Sequence, residues 1–359
     1  MLHAIIMAGG SGTRFWPKSR RDRPKQLLCL AGDTTMLQQT VARIEPLVPR
    51  DRIIVVTGAD QAAATRTQLP DVPAHNVIAE PSPRDTAPCV GLAAGIVAQR
   101  DPKGTMIVMP ADHVIEPAES FRATVVAAVA VIDDDPTALV TFGIKPTHPE
   151  TGYGYIECGA LLEKRNGIPV HRVIQFREKP DRDTAERFLA AGSFAWNSGI
   201  FVWRARTILD EIAAHRPRLA QGLAPILKSI GTADEAETLA RLFPGLERVP
   251  IDKAVMEHAP NVRVLEVPYR WNDVGDWRAL ATLLDQDPAG NATQGKVVVR
   301  DTTGSIIISD DGGLVATLGV DDLVVVHSGK ATLVARKDQL DKLKALVEGL
   351  GQAGYGSFL

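Results

Sequence analysis

The sequence predicts an α/β fold, a doubly wound sheet followed by a small β-rich unit, on three observations. Short apolar runs alternate with longer helical patterns through most of the chain. The first run feeds straight into a glycine-rich loop, Ala8-Gly9-Gly10-Ser11-Gly12-Thr13-Arg14. Near residue 288 the alternation gives way to short β-rich runs.

Leu2 to Met7 reads as a buried strand. Further strands are expected at 53–57, 105–109, 138–143, 171–176, 199–203 and 262–267. Helices are expected at 34–45, 59–68, 86–100, 118–132, 181–191, 205–214, 233–242 and 275–285. Asp287-Pro288-Ala289-Gly290-Asn291 reads as a linker, dividing the chain into 1–287 and 291–359. Beyond it lie β-rich runs at 296–300, 305–309, 314–317, 322–327 and 331–335. No strict repeat is visible there, so a solenoid has little support. Asp338 to Leu350 reads as an amphipathic helix, with Leu340, Leu343, Val347 and Leu350 on one face and Gly351 as its stop.

The chain has 359 residues, 45% hydrophobic and 23% charged, with a net charge of −3. Those values suit a soluble globular protein and imply no broad nucleic-acid footprint. No apolar run is long enough for a membrane span, and Met1-Leu2-His3 lacks the charged start of a signal peptide. Cys29, Cys89 and Cys158 form no C-x-x-C, which suits a reducing cytoplasm. The sequence leaves assembly open, a homodimer included.

A strand feeding glycines lets backbone N–H groups approach an anion closely. Six cations follow within twelve positions: Arg14, Lys18, Arg20, Arg21, Arg23 and Lys25. Together they predict a polyphosphate ligand whose charge the cations neutralise. The loop is neither a P-loop, for no Gly-Lys-Ser/Thr follows, nor a dinucleotide fingerprint, for Phe15 holds the third glycine position.

Acids at strand ends come next. Asp112, in Met109-Pro110-Ala111-Asp112-His113, suits a divalent cation beside a phosphate, or is a solvated loop acid or helix cap. Asp273, in Trp271-Asn272-Asp273-Val274-Gly275, is a second metal ligand or the cap of the following helix. Lys179, in Phe176-Arg177-Glu178-Lys179-Pro180, suits a monophosphate, and Glu178 can accept from sugar hydroxyls; an exposed ion pair is the alternative. Asn197 offers donor and acceptor to sugar hydroxyls, or is a turn residue. Gly152 and Gly154 offer a close backbone approach, or make a hairpin turn. Asp85, before the 86–100 helix, reads as its cap. Glu80 bears on base choice, because a carboxylate only accepts and guanine presents adjacent N1–H and N2–H donors. There is no H-E-x-x-H, no G-x-S-x-G and no acidic pair of D-x-D type at Asp112. A phosphate nucleophile is already ionised, so positioning and cations can carry its chemistry.

Taken in order, Gly9 to Pro17, Arg23-Pro24-Lys25-Gln26, Pro110 to His113, Gly152 to Ile156, Glu178-Lys179-Pro180, Trp196 to Gly199 and Trp271 to Gly275 resemble the sugar-phosphate nucleotidyltransferases. Within them the chain is similar to the mannose-1-phosphate guanylyltransferases, most specifically through Phe15 to Arg20. The resemblance covers residues 1 to about 285 firmly and the tail loosely. It implies a Rossmann-like nucleotide-diphosphosugar transferase fold, and GTP and mannose 1-phosphate as substrates with Mg²⁺ as cofactor. Ala8, Gly9, Gly10, Ser11, Gly12, Thr13 and Arg14 would cradle the GTP phosphates. Arg14 and Lys25 would stabilise developing charge, and Asp112 and Asp273 would hold Mg²⁺. Lys179 would bind the sugar phosphate, with Glu178, Asn197 and Gly152 on mannose. Glu80, Asp85 and Thr86 would lie near guanine and ribose. Another sugar 1-phosphate, another nucleotide, or a non-catalytic GDP-mannose-binding subunit are the alternatives. The chain is too short for the isomerase domain that some members carry, so the resemblance implies a monofunctional transferase.

Overall fold

The computed structural model describes residues 1–10 and 12–359; Ser11 lies outside the described residues. By internal contacts the chain forms two compact units. The first comprises Met1–Gly9, Thr40–Ala111 and Ile115–Trp271, and the second Gly10–Gln39, Asp112–Val114 and Asn272–Leu359.

The first eleven strands begin with β1 (Leu2–Ala8), β2 (Ile53–Gly58), β3 (Val77–Glu80), β4 (Thr105–Pro110), the short β5 (Val114–Glu116) and β6 (Leu139–Ile144). They continue with β7 (Gly154–Arg165), β8 (Ile168–Glu178), β9 (Phe194–Arg204), β10 (Val262–Glu266) and the short β11 (Arg270–Asn272). One nine-stranded sheet runs β3-β2-β1-β4-β9-β6-β10-β8-β7. The half from β3 to β4 is parallel, as the alternation predicts. β1, β2 and β4 are apolar on both faces; Ile5, Ile54 and Val108 are wholly buried. Their partner is the helix Thr86–Arg100, whose residues Ala87 to Val97 are all buried.

The other half departs from a simple doubly wound sheet. β9 runs antiparallel to β4 and β6, and β7 pairs with both β8 and β9. β9, β6, β10, β8 and β7 therefore close into a ring. The cause is the long β7–β8 hairpin, turned at Asn166-Gly167 with φ of 50° and 82°. Positive φ at both central residues matches the strands' twist, which is why Asn-Gly is favoured there.

The second unit carries β12 (Ala292–Gln294), β13 (Val297–Arg300), β14 (Ile306–Ser309), β15 (Val315–Leu318), β16 (Leu323–Ser328) and β17 (Ala331–Arg336). β13 pairs in parallel with β15, and β14 with β16. Val297 faces Val315 and Ile306 faces Val324, so one constant offset relates both pairs and the chain winds as a β-coil. That register supports the solenoid which side-chain identity alone did not reveal. Ile306, Ile308, Val324 and Val326 share a core with Phe15, Trp277, Leu340, Leu343 and Val347. The closing helix runs Leu343–Gln352, past Gly351, after a 3-10 stretch at Lys337–Lys342. No helix among the described residues is long and apolar enough to cross a membrane.

Candidate active site

The second unit holds the glycine loop from Gly10 onward, Lys25, Asp112 and Asp273. Lys25 is only 7% exposed. Its ammonium donates to Asp112 Oδ2 at 2.7 Å and to the Asp273 carbonyl at 2.5 Å. A buried ammonium needs such partners, and they draw three distant segments together. Burial pushes the Asp112 carboxyl up, but the charges of Lys25 and His113 and the Lys25 hydrogen bond hold it below the usual carboxylate range. Asp273 Oδ1 accepts from Gly275 N–H at 3.1 Å. The cap of the helix Trp277–Ala281 is Asp276, which accepts from Arg278 and Ala279 N–H, so Asp273 does not serve as the cap.

Gly12 lies where the loop meets Lys25. Its φ is +59°, and a Cβ there would stand 2.6 Å from the Lys25 backbone nitrogen. Ser19 Oγ donates to the Gly12 carbonyl at 2.7 Å and closes the turn. Thr13–Phe15 form a single 3-10 turn that leaves Arg14 exposed, and Phe15 packs edge-on against Trp277.

The six cations do not act as one group. Lys18 pairs with Asp310 at 3.4 Å. Arg20 donates to the Phe358 carbonyl at 3.0 Å, beside the Trp16 indole at 2.8 Å. These two side chains hold the loop to the β-coil and the terminal turn instead of meeting phosphate.

In the first unit, Ala8 and Glu80 end the parallel strands β1 and β3, and Gly9 follows β1 directly. Such carboxyl ends are where α/β sheets bind ligands. Glu80 Oε1, Ser82 Oγ and Arg84 Nε are buried atoms without a hydrogen-bond partner among the described residues. Three orphaned polar atoms on one loop are a costly arrangement unless a ligand satisfies them. Burial pushes the Glu80 carboxyl up to about 7, against a hydrogen bond from Cys89 that lowers it. The native state thus binds this proton more tightly than the unfolded chain. Stability from Glu80 is full below its ordinary value near 4.5 and is lost as pH rises through 7. Glu80→Gln is expected to raise Tm relative to the parent at pH 8, with the advantage shrinking toward pH 4.5. A pH series of thermal melts checks this, and a pH-independent difference would contradict it.

The ring of strands places a second group of residues. Gly154 opposes Glu178 across β7 and β8, while Tyr155 opposes Trp196 across β7 and β9. A Cβ at Gly154 would stand 2.7 Å from Glu178 Oε2 and 3.3 Å from Asn197 Cβ. Glycine here lets the two side chains converge. Lys179 donates to Glu178 Oε1 at 2.5 Å, and its side chain is 63% exposed. A cleft of about 390 Å³ opens beside them, lined by Arg177, Glu178, Lys179, Lys253 and Glu257 among others.

Known proteins share both the sequence and the fold. The nucleotidyl transferase family model matches residues 3–289, and the MannoseP isomerase/GMP-like beta-helix domain model matches residues 295–350. A mannose-1-phosphate guanylyltransferase of Escherichia coli is 36% identical over 357 residues, 98% of this chain and 76% of its own length. The chain belongs to the mannose-1-phosphate guanylyltransferase family. The xanthan biosynthesis protein XanB of Xanthomonas campestris pv. campestris (strain B100) is 37% identical over 352 residues, 98% of this chain and 73% of its own. A solved structure from Thermus thermophilus, described as a mannose-1-phosphate geranyltransferase, has a TM-score of 0.85 at 35% identity. The match covers 98% of this chain and 99% of that one.

Some residues implied by resemblance to the mannose-1-phosphate guanylyltransferase family have partners within the chain. Asp85 makes no cap bond and pairs with Arg248 at 3.1 Å. Thr86 Oγ1 accepts from Ile251 N–H at 2.8 Å. Gly152 is exposed and donates its N–H to Glu150 Oε1 at 2.8 Å, which leaves Gly154 as the glycine against Glu178 and Asn197. Ser82, Arg84 and Asp252 are candidates that sequence reasoning missed. Asp252 left one signal, an acid beside Lys253 inside the otherwise apolar stretch Val249 to Met256.

Proposed function

We propose that this nucleotidyltransferase makes GDP-mannose and diphosphate from GTP and α-mannose 1-phosphate. The observation that carries the reading is the Lys25 ammonium, which joins Asp112 and the Asp273 loop beside the glycine turn. A mannose phosphate oxygen bonds to the GTP α-phosphorus. The bond from that phosphorus to the bridging oxygen breaks, and diphosphate leaves with the electron pair.

The chain's residues supply position and charge. Backbone N–H groups from Gly9 to Arg14 meet the phosphates, and Arg14 and Lys25 offset charge on the α-phosphate and the leaving diphosphate. Lys179 holds the sugar phosphate, and Glu178 and Asn197 contact the sugar. Glu80, with its orphaned oxygen, accepts from guanine. No cluster of three or more His, Cys, Asp or Glu suited to a metal occurs among the described residues. Mg²⁺ asks for less, one or two carboxylates beside substrate phosphate oxygens, and the oxygen donors of Asp112 and Asp273 suit it. When bound, it would neutralise phosphate charge. We place the protein in a reducing cytoplasm, consistent with its free cysteines Cys29, Cys89 and Cys158.

Diphosphate release with Mg²⁺, GTP and mannose 1-phosphate tests the reading, with ATP, UTP and glucose 1-phosphate as controls. Release confined to GTP and mannose 1-phosphate supports it. Release with another pair overturns the substrates, and silence with every pair favours a binding subunit. Lys179→Ala is expected to raise KM for the sugar phosphate about tenfold or more, as loss of a charged hydrogen bond does, with KM for GTP little changed. A rise in KM for GTP alone would remove Lys179 from the sugar-phosphate site.

A further inference from the structure

Asn197 is more constrained than an amide on a ligand-binding strand needs to be. Its Oδ1 accepts from Gly199 N–H at 3.1 Å and from the Thr141 hydroxyl at 3.2 Å. The Thr141 proton is shared with the Ile200 carbonyl at 3.1 Å. Its Nδ2 donates to Asp252 Oδ1 at 2.8 Å. These partners decide which end of the amide is which. A backbone N–H must meet oxygen, and an ionised carboxylate must meet nitrogen. The amide oxygen is therefore engaged, one N–H is engaged, and one N–H remains without a partner among the described residues.

We propose that Asp252 is a positioning residue for sugar recognition, holding Asn197 so that it presents one N–H donor and no acceptor. The inference rests on the reading of Glu178 and Asn197 as sugar contacts. It assigns them opposite tasks. The Glu178 carboxylate accepts a hydrogen bond from a sugar hydroxyl, and the Asn197 N–H donates to a hydroxyl oxygen. Both side chains converge on Gly154, and a hydroxyl can donate and accept at once. A rotated Asn197 amide would set its carbonyl against the Asp252 carboxylate, two acceptors with no proton between them, and turn its NH2 against the Gly199 N–H.

The surroundings of Asp252 fit this task. It opens the π-helical turn Asp252–Met256, a rare local geometry found often at functional sites. Burial and the neighbouring Glu178 charge push its carboxyl up to about 6, against the Asn197 hydrogen bond and the Lys179 charge. At pH 8 it is an ionised acceptor. An acid kept at such a cost, with its hydrogen bond directed to one amide, suits positioning better than packing.

A double-mutant cycle tests the proposal at pH 8, with steady-state KM and kcat for mannose 1-phosphate and for GTP. Asp252→Ala is expected to raise KM for mannose 1-phosphate about tenfold, the cost of one lost charge-assisted hydrogen bond, and to leave KM for GTP unchanged. Asp252→Asn, whose carboxamide oxygen still accepts, should recover most of that loss. In an Asn197→Ala background, Asp252→Ala should add nothing. Asp252→Leu, with the same branched outline and without an acceptor, replaces Asp252→Ala if thermal melts show that variant unfolded. Additive effects, absence of rescue by Asp252→Asn, or an equal rise in KM for GTP would overturn the proposal while the parent reading stands. No turnover by the unmutated chain with any sugar 1-phosphate would overturn the parent reading and this one with it.

Discussion

Asp112→Asn or Asp273→Asn will lower kcat by about two to three orders of magnitude, the scale of losing one preorganised electrostatic contact, and leave Tm within a few degrees. Both changes preserve shape and remove charge. At Asp112 the carboxyl remains ionised against the pull of burial because Lys25 and His113 hold it so. An amide there keeps an acceptor for the Lys25 ammonium but loses the charge proposed to hold a divalent cation. At Asp273 the fold is protected for separate reasons. The helix cap belongs to Asp276, and Lys25 bonds the Asp273 backbone carbonyl, which substitution leaves in place. Diphosphate release at saturating substrate, with a Mg²⁺ titration and a thermal melt, checks both. Near-parental turnover in either variant would remove that residue from the metal pair.

The second large effect is expected at Gly12. Gly12→Ala introduces a Cβ 2.6 Å from the Lys25 nitrogen and 2.7 Å from its Cβ, at φ +59°. The left-handed backbone alone costs about 1 kcal/mol for alanine. The contact is the larger problem, because it meets backbone, and backbone cannot swing aside. Lys25 must move, and with it the ammonium that joins Asp112 to the Asp273 loop. A shift of about 1 Å in such a group commonly costs on the order of a hundredfold in rate. KM for GTP should rise together with the fall in kcat, since loop and ammonium are displaced together. A variant with parental kinetics would show that the loop does not position Lys25 for the reaction.

Strands β1, β2 and β4 were legible because they are buried on both faces and read as apolar runs, whereas β3, four residues long, buried only at Val77 and ending in Glu80, was not expected. The β7–β8 hairpin was not legible either. β7 is half-exposed beyond Ile156 and carries Glu163, Lys164 and Arg165, so neither continuous nor alternating hydrophobicity marks it. Asn166-Gly167 was the signal available there. The β-coil escaped for a related reason. Its regularity lies in a constant register between successive turns, which similar side chains need not repeat. The site divides in the same way. Acids after apolar strands are visible in a string of letters, whereas the pairing of Lys18 with Asp310, or of Asn197 with Asp252, depends on which distant segments meet.

By itself the sequence determined the α/β class, the glycine loop after the first strand, and the acids and cations that point to a phosphate ligand. Each of those follows from local rules of burial, conformational freedom and charge. Only the tertiary structure decided which cation joins which acids. Lys25 lies 87 residues from Asp112 and 248 from Asp273 in the chain, and one buried ammonium binds both. It also sent Lys18 and Arg20 to the β-coil and the terminal turn, and set Gly154, Glu178, Asn197 and Asp252 side by side. The physical reason is that a hydrogen bond requires proximity, and proximity between distant segments is a property of the packed chain.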